Sequence, residues 1–245
     1  MSGHSKWSTI KRQKETTDKK KGQVFSKLAR VIAIAAHGGT DPESNFKLRL
    51  AIEKAKQANM PKENIDRALR KAQGKQGSGL EEVTYEGYGP GKIAIIIEAV
   101  TDNKNRTTAE IKNIFEKGGG SLTAPGAVSF QFKQAGLLTI EKDKNPDEQI
   151  LKIIDLGVED VEEASDAIEV YTKSGELDQV RKRLEEKSFR VVGAELVKQP
   201  TTMAAISDKK TAEKVLNFME KIEEHDDVQR VFANFDIPDE ILSQR

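Results

Sequence analysis

Nine cations crowd the first thirty residues: Lys6, Lys11, Arg12, Lys14, Lys19, Lys20, Lys21, Lys27 and Arg30, against only Glu15 and Asp18. Ammonium and guanidinium groups neutralise phosphates and release counterions, which supplies affinity for a polyanion without reading its sequence. The one tryptophan, Trp7, sits inside this stretch between Lys6 and Lys11. An indole there can stack on a base or a ribose. It can equally pack on the protein's own apolar surface. With His4, these residues form the candidate nucleic-acid contact set. Helix-turn-helix, zinc-finger and RRM signatures are missing from the sequence, so no base-reading element is visible. The bland alternative is a solvated basic surface with no polyanion partner.

The charge is segregated along the chain. Residues 1–80 hold 18 Lys/Arg and 7 Asp/Glu, 18 − 7 = +11. The other 165 residues hold 22 and 33, 22 − 33 = −11, so the 40 basic and 40 acidic residues cancel overall. Such asymmetry points to contact with nucleic acid or a membrane surface. No apolar run approaches the roughly 18 residues of a membrane span, which leaves nucleic acid and a soluble, cytoplasmic chain. The sequence holds no cysteine, so disulfides and thiolate chemistry are excluded.

Catalytic signals are weak. His4, His37 and His225 lie in no nucleophilic or metal-ligand context, and no catalytic residue, resident metal or cofactor is expected. His37, before a glycine pair, suits a helix C-terminus. If Met1 is removed, Ser2-Gly3-His4 offers an amine, two amides and an imidazole, a square-planar set for Cu(II) or Ni(II); a free terminus is the simpler reading. Tyr85–Lys92 (YEGYGPGK) is glycine-rich but precedes a strand, whereas a phosphate fingerprint follows one. It reads as a tight turn. An enzyme using Gly89–Lys92 as a phosphate cradle and an adaptor using the acidic part are the competing classes. Gly118-Gly119-Gly120 reads as a helix stop whose amides could meet a phosphate.

Residues 1–21 bury too little to fold alone and are expected to order on binding. Val24, Leu28, Val31, Ile32 and Ala35 recur at helical spacing up to Gly38-Gly39. A second helix is expected from Asp41-Pro42, with Asp41 as its cap, and a third from Pro61, before glycines 74, 77 and 79. After residue 80 the sequence predicts a buried strand at Ile93–Val100, a helix at Arg106–Lys117 and a strand through Val128, Phe130 and Phe132. A second set follows: strand Leu137–Ile140, helix Pro146–Leu156, strand Ala167–Tyr171, helix Leu177–Glu186 and strand Phe189–Val197. Helix Thr211–Glu224 and strand Val228–Phe235 are left to complete the first set. The expected fold is α+β in three domains. Residues 1–80 form a basic arm and three-helix domain, residues 81–132 with 201–245 a discontinuous α/β domain, and residues 133–200 an inserted one. Both α/β parts are expected to be small ferredoxin-like sandwiches, and a monomer is favoured.

These residues also carry a resemblance. GHSKWSTIKRQK (Gly3–Lys14), YEGYGPGK, TDNKNRTTAEIKNIFEKGGG (Thr101–Gly120) and GAVSFQF (Gly126–Phe132) closely resemble the YebC family, which includes a mitochondrial translational activator of cytochrome c oxidase. The match runs essentially the whole chain. It departs at Lys92, where a further glycine is common, and in the loop Thr123-Ala124-Pro125. The motif begins at residue 3, which suggests a bacterial cytosolic member without a presequence. The resemblance implies three α/β-type domains with a helical first domain and an inserted third. It implies a DNA-binding transcriptional regulator, or a ribosome-bound translation factor easing synthesis of stretches such as consecutive prolines.

Overall fold

The computed structural model describes residues 18–73, 79–164 and 166–242. The chain packs as two compact units. The first holds, among the described residues, 18–129 and 207–231; the second holds 130–206 and 232–242.

The first unit opens with α1 (Asp18–Ala35), α2 (Phe46–Gln57) and α3 (Lys62–Gln73). Their inward faces join Leu28, Ile32, Leu48, Ala55, Met60 and Ile65 in one apolar core. Helix α1 begins at Asp18, six residues before the first apolar repeat at Val24, so Asp18–Lys21 belong to the helix rather than to the arm. The cap of α2 is Asn45, not Asp41. Asn45 Oδ1 accepts from Leu48 N at 3.1 Å, and its Nδ2 reaches the carbonyls of Ala35 and Gly39. One side chain thus starts α2 and satisfies carbonyls at the end of α1. Asp41 instead closes the turn before it, through Glu43 N and Ser44 Oγ.

A four-stranded sheet follows in the order β3-β1-β2-β9. Its strands are β1 (Glu81–Tyr88), β2 (Ala94–Thr101), β3 (Ser121–Thr123) and β9 (Val228–Ala233), with α4 (Lys104–Gly118) between β2 and β3 and α7 (Lys209–Glu223) before β9. Tyr85–Tyr88, read as part of a turn, is the end of β1; only Gly89–Lys92 turns. Buried Ile95, Ile97, Ile111, Phe115 and Phe218 fill the layer between sheet and helices. The Phe115 and Phe218 rings meet edge to face, centroids 5.1 Å apart.

The expected strand through Val128, Phe130 and Phe132 is absent. Val128 is buried, Phe130 is 73% exposed, and Ser129–Gln131 is a 3-10 turn. Glu86 overrides the local alternation. Its buried carboxylate accepts from Gly126 N, Val128 N and Ser129 N at 2.8–3.0 Å and folds the segment into a loop. Burial raises the Glu86 pKa, but these three backbone donors outweigh it and hold the carboxyl below its ordinary value.

In the second unit the sheet order is β5-β6-β4-β7, from β4 (Phe132–Glu141), β5 (Asp160–Glu163), β6 (Ala167–Lys173) and β7 (Val191–Pro200). Helices α5 (Pro146–Ile154) and α6 (Leu177–Glu186) make the crossovers. All neighbours are antiparallel, the order of a split β-α-β, ferredoxin-like fold. Strand β5, which alternates no apolar residues, left no sequence signal. The strand expected at Val228–Phe235 breaks at Asn234, whose Nδ2 donates to Gln131 Oε1 and Thr202 O. Beyond it β10 (Phe235–Asp236) pairs in parallel with β8 (Ala204–Ala205), and α8 (Asp239–Leu242) closes the described chain.

Gly87 has no room for a side chain: a Cβ there would stand 2.4 Å from Phe115 Cε1 and 2.6 Å from Ser121 O. The Gly87→Ala variant is expected to lose about 1–3 kcal/mol of stability, measured as a lower urea midpoint with an unchanged slope.

Candidate nucleic-acid interface

The helical end is built around one buried carboxylate. Asp227, in the turn between α7 and β9, has only 3% of its side chain exposed. Arg30 of α1 donates from NH1 to Asp227 Oδ1 and, at 2.9 Å, to Asp226 O. Arg106 NH2 reaches Asp227 Oδ2 at 2.8 Å, and Thr107 Oγ1 reaches the same oxygen at 2.6 Å. Lys27, one turn before Arg30, donates to the carbonyl of Glu223. Burial pushes the Asp227 pKa up, but the hydrogen bonds from Thr107, Arg106 and Arg30 and the charge of Arg30 prevail and lower it to about 2.

His4, Lys6, Trp7, Lys11, Arg12 and Lys14 lie outside the described residues, as does the Ser2-Gly3-His4 terminus. Lys19 and Lys20 lie in α1, outside the described side chains, while Lys21 is exposed. Lys27 and Arg30 hydrogen-bond the acidic turn at 223–227. The sequence pattern does not distinguish a cation facing phosphate from one facing a neighbouring loop.

Other cations take the outward positions. Lys47, Lys54, Lys56, Lys62, Arg67, Arg70 and Lys71 of α2 and α3 are all exposed. Lys54, Lys56, Arg70 and Lys71 occupy last turns, where they complement the helix dipole. Their signal in the sequence was the +11 of residues 1–80, spread more evenly than the first-thirty cluster. Between α1 and α3 lies an open groove of about 430 Å³. Phe25, Ala29, Met60 and Ala68 line it together with Arg30, Arg67 and Lys71. An apolar floor with a guanidinium and ammonium rim is the chemistry that single-stranded nucleic acid meets in a stacking groove.

The two glycine-rich segments offer no phosphate cradle. Gly119, left-handed at φ 76°, caps α4, and Gly119 N and Gly120 N donate back to Glu116 O and Phe115 O. Those amides are spent on the helix C-terminus. Gly89 N and Lys92 N close their own turn onto Ile93 O and Gly89 O. Glu110, His225 and Asp227 bring ligand atoms within 4.8 Å of one another. Arg106 occupies the same space, paired to both acids, and a second cation there is unfavourable. Among the described residues no helix is long and apolar enough to cross a membrane.

A mixed α+β chain, with two four-stranded sheets and a helical part rich in exposed cations, defines the class. Family models place it further: residues 5–75 match the TACO1/YebC protein N-terminal domain, and residues 80–235 match the TACO1/YebC second and third domain. The chain belongs to the TACO1/YebC family. A relative from Dictyoglomus thermophilum, named a probable transcriptional regulatory protein, is 52% identical over 246 residues, covering 99% of this chain and 98% of its own. One from Sulfurihydrogenibium, similarly named, is 48% identical over 248 residues, covering 100% and 99%. The crystal structure of a conserved hypothetical protein, Aq1575 from Aquifex aeolicus, is similar at a TM-score of 0.84 and 43% identity, covering 90% of this chain and 92% of that one.

Asp227→Asn should destabilise the chain by about 2 kcal/mol at neutral pH, because two arginines lose their charged acceptor. The wild-type carboxylate has a depressed pKa, so its contribution is present above the unfolded value near 4 and is lost as pH falls toward about 2. Urea midpoints of the two proteins should therefore differ at pH 7 and converge on acidification toward pH 2.

Proposed function

We propose that this chain is a non-enzymatic, nucleic-acid-binding regulator of gene expression that docks through its basic arm and helical end. The observation that carries the reading is the charge segregation, +11 in residues 1–80 against −11 beyond. It is supported by seven exposed cations on α2 and α3 beside a groove with an apolar floor. In this reading residues 1–80 hold phosphate. Residues 81–132 with 201–245, and residues 133–200, are the acidic domains that position them. His4, Lys6, Trp7, Lys11, Arg12, Lys14, Lys19, Lys20 and Lys21 make the arm's contacts. The names of the relatives favour DNA and control of transcription.

A second reading has ribosomal RNA as the partner and translation as the process. The acidic remainder favours it: a long duplex would repel those domains, whereas a nucleoprotein pocket can receive one cationic end. In both readings the protein works in the cytoplasm and needs no cofactor.

Lysate sedimentation separates the two. Co-migration with ribosomes that survives DNase, is lost with RNase and is lost on Lys6, Lys11, Arg12 and Lys14→Ala supports the RNA reading. A protein that stays at the top of the gradient and retards duplex DNA supports the DNA reading. Binding neither polymer at low salt would remove both. The fall of log K with log salt should be about 0.7–0.9 per phosphate contacted, and the four-alanine variant should show a shallower slope.

A further inference from the structure

The ferredoxin-like sheet of the second unit has two unlike faces. Helix α6 covers one: a Cβ on Gly136 would stand 2.8 Å from Leu177 Cδ1. The right-handed crossovers put α5 on the same side. Cross-strand pairing defines the opposite face. Leu137 stands across from Tyr171 and Glu195, and Tyr171 from Asp160. In the next row Thr139 stands across from Glu169, and Glu169 from Glu162. Ala135 with Val197 and Lys133 with Gln199 continue the same face.

Three observations make this face a receptor for a basic segment. Its middle is apolar and buried, with Leu137, Tyr171 and Val197 each at most 3% exposed. Carboxylates from three strands surround it, Asp160 and Glu162 on β5, Glu169 on β6 and Glu195 on β7, with Glu162 and Glu169 direct cross-strand neighbours. Independently, Gln199 is 8% exposed, and its buried Oε1 has no hydrogen-bond donor among the described residues. A buried amide oxygen in that state calls for a donor from whatever lies on the face.

We propose that this face docks the chain's own N-terminal segment, residues 2–14. That segment carries Lys6, Lys11, Arg12 and Lys14 and no acid, and it holds Trp7 at its centre. An indole over the Leu137–Tyr171 row, ringed by ammonium and guanidinium groups over the Glu162, Glu169 and Glu195 carboxylates, matches the face in both polarity and charge. Thirteen extended residues span about 43 Å, ample to cross four strands about 4.8 Å apart. The docked segment is withheld from phosphate, so the acidic sheet is a built-in competitor for polyanions. The docking stands apart from the nucleic-acid reading, because it is defined with no polymer present.

Trp7, as the only tryptophan, reports it directly in the full chain without nucleic acid. Acrylamide should quench wild-type emission several-fold less than that of a free peptide of residues 1–17. Glu162→Lys with Glu195→Lys should shift the docked-to-free ratio about tenfold toward free, with a red-shifted emission and an unchanged far-UV spectrum. Wild-type emission as quenchable as the peptide's would overturn the proposal. As a second measurement, the cysteine-free chain carrying Ser8→Cys and Glu195→Cys should form an intramolecular disulfide under mild oxidation. A matched pair of Ser8→Cys and Lys117→Cys should not. Disulfide-linked dimers instead of monomers would assign the face to a second copy and overturn docking of the chain's own segment.

Discussion

The Asp227 carboxylate is the interaction on which the first unit depends. It ties α1, through Arg30, to the start of α4, through Arg106 and Thr107. Its own backbone carbonyl accepts from Val100 N on the central strand β2. A single residue in a turn thereby joins the three-helix layer to the sheet. Burying a charge is costly unless it is paired and hydrogen-bonded, and here two guanidinium groups and a hydroxyl do both. Glu110, linked to His225 Nε2 at 2.9 Å, and His225 Nδ1, which accepts from Asp227 N, extend the network and fix the turn that carries the carboxylate.

Glu86 plays the matching part at the other edge of that sheet. It uses three backbone amides to hold the loop 126–129. The loop needs such an anchor because β3 is only three residues long and supplies few ladder bonds. The glycines nearby serve the same packing. Gly87 and Gly120 let β1, α4 and the following chain approach to distances a side chain would forbid.

Charge has two scales in this molecule. Locally, Lys27 and Arg30 hydrogen-bond the acidic turn that follows α7. Globally, the cations of α2 and α3 face outward, and the acids of the second sheet gather on the face away from its helices.

The helices α1–α7, the strands β2, β4, β6, β7 and β9, the mixed α+β class and the charge segregation were legible in the residues themselves, because helical period, apolar runs and composition are local properties. The helix at Leu177–Glu186 has the bounds its periodicity predicts, and the core strand near Ile93–Val100 shifts by one residue. The family motifs were legible for the same reason. Only the tertiary structure decided which cations face solvent, since Lys27 and Lys71 are alike in sequence and differ in what lies beside them. It also decided that Asn45 rather than Asp41 caps α2, that Glu86 folds Val128–Phe130 into a loop, and that β5 forms at all. Each of these depends on a partner distant in sequence, and the energy of a long-range hydrogen bond or ion pair leaves no period in the chain that makes it.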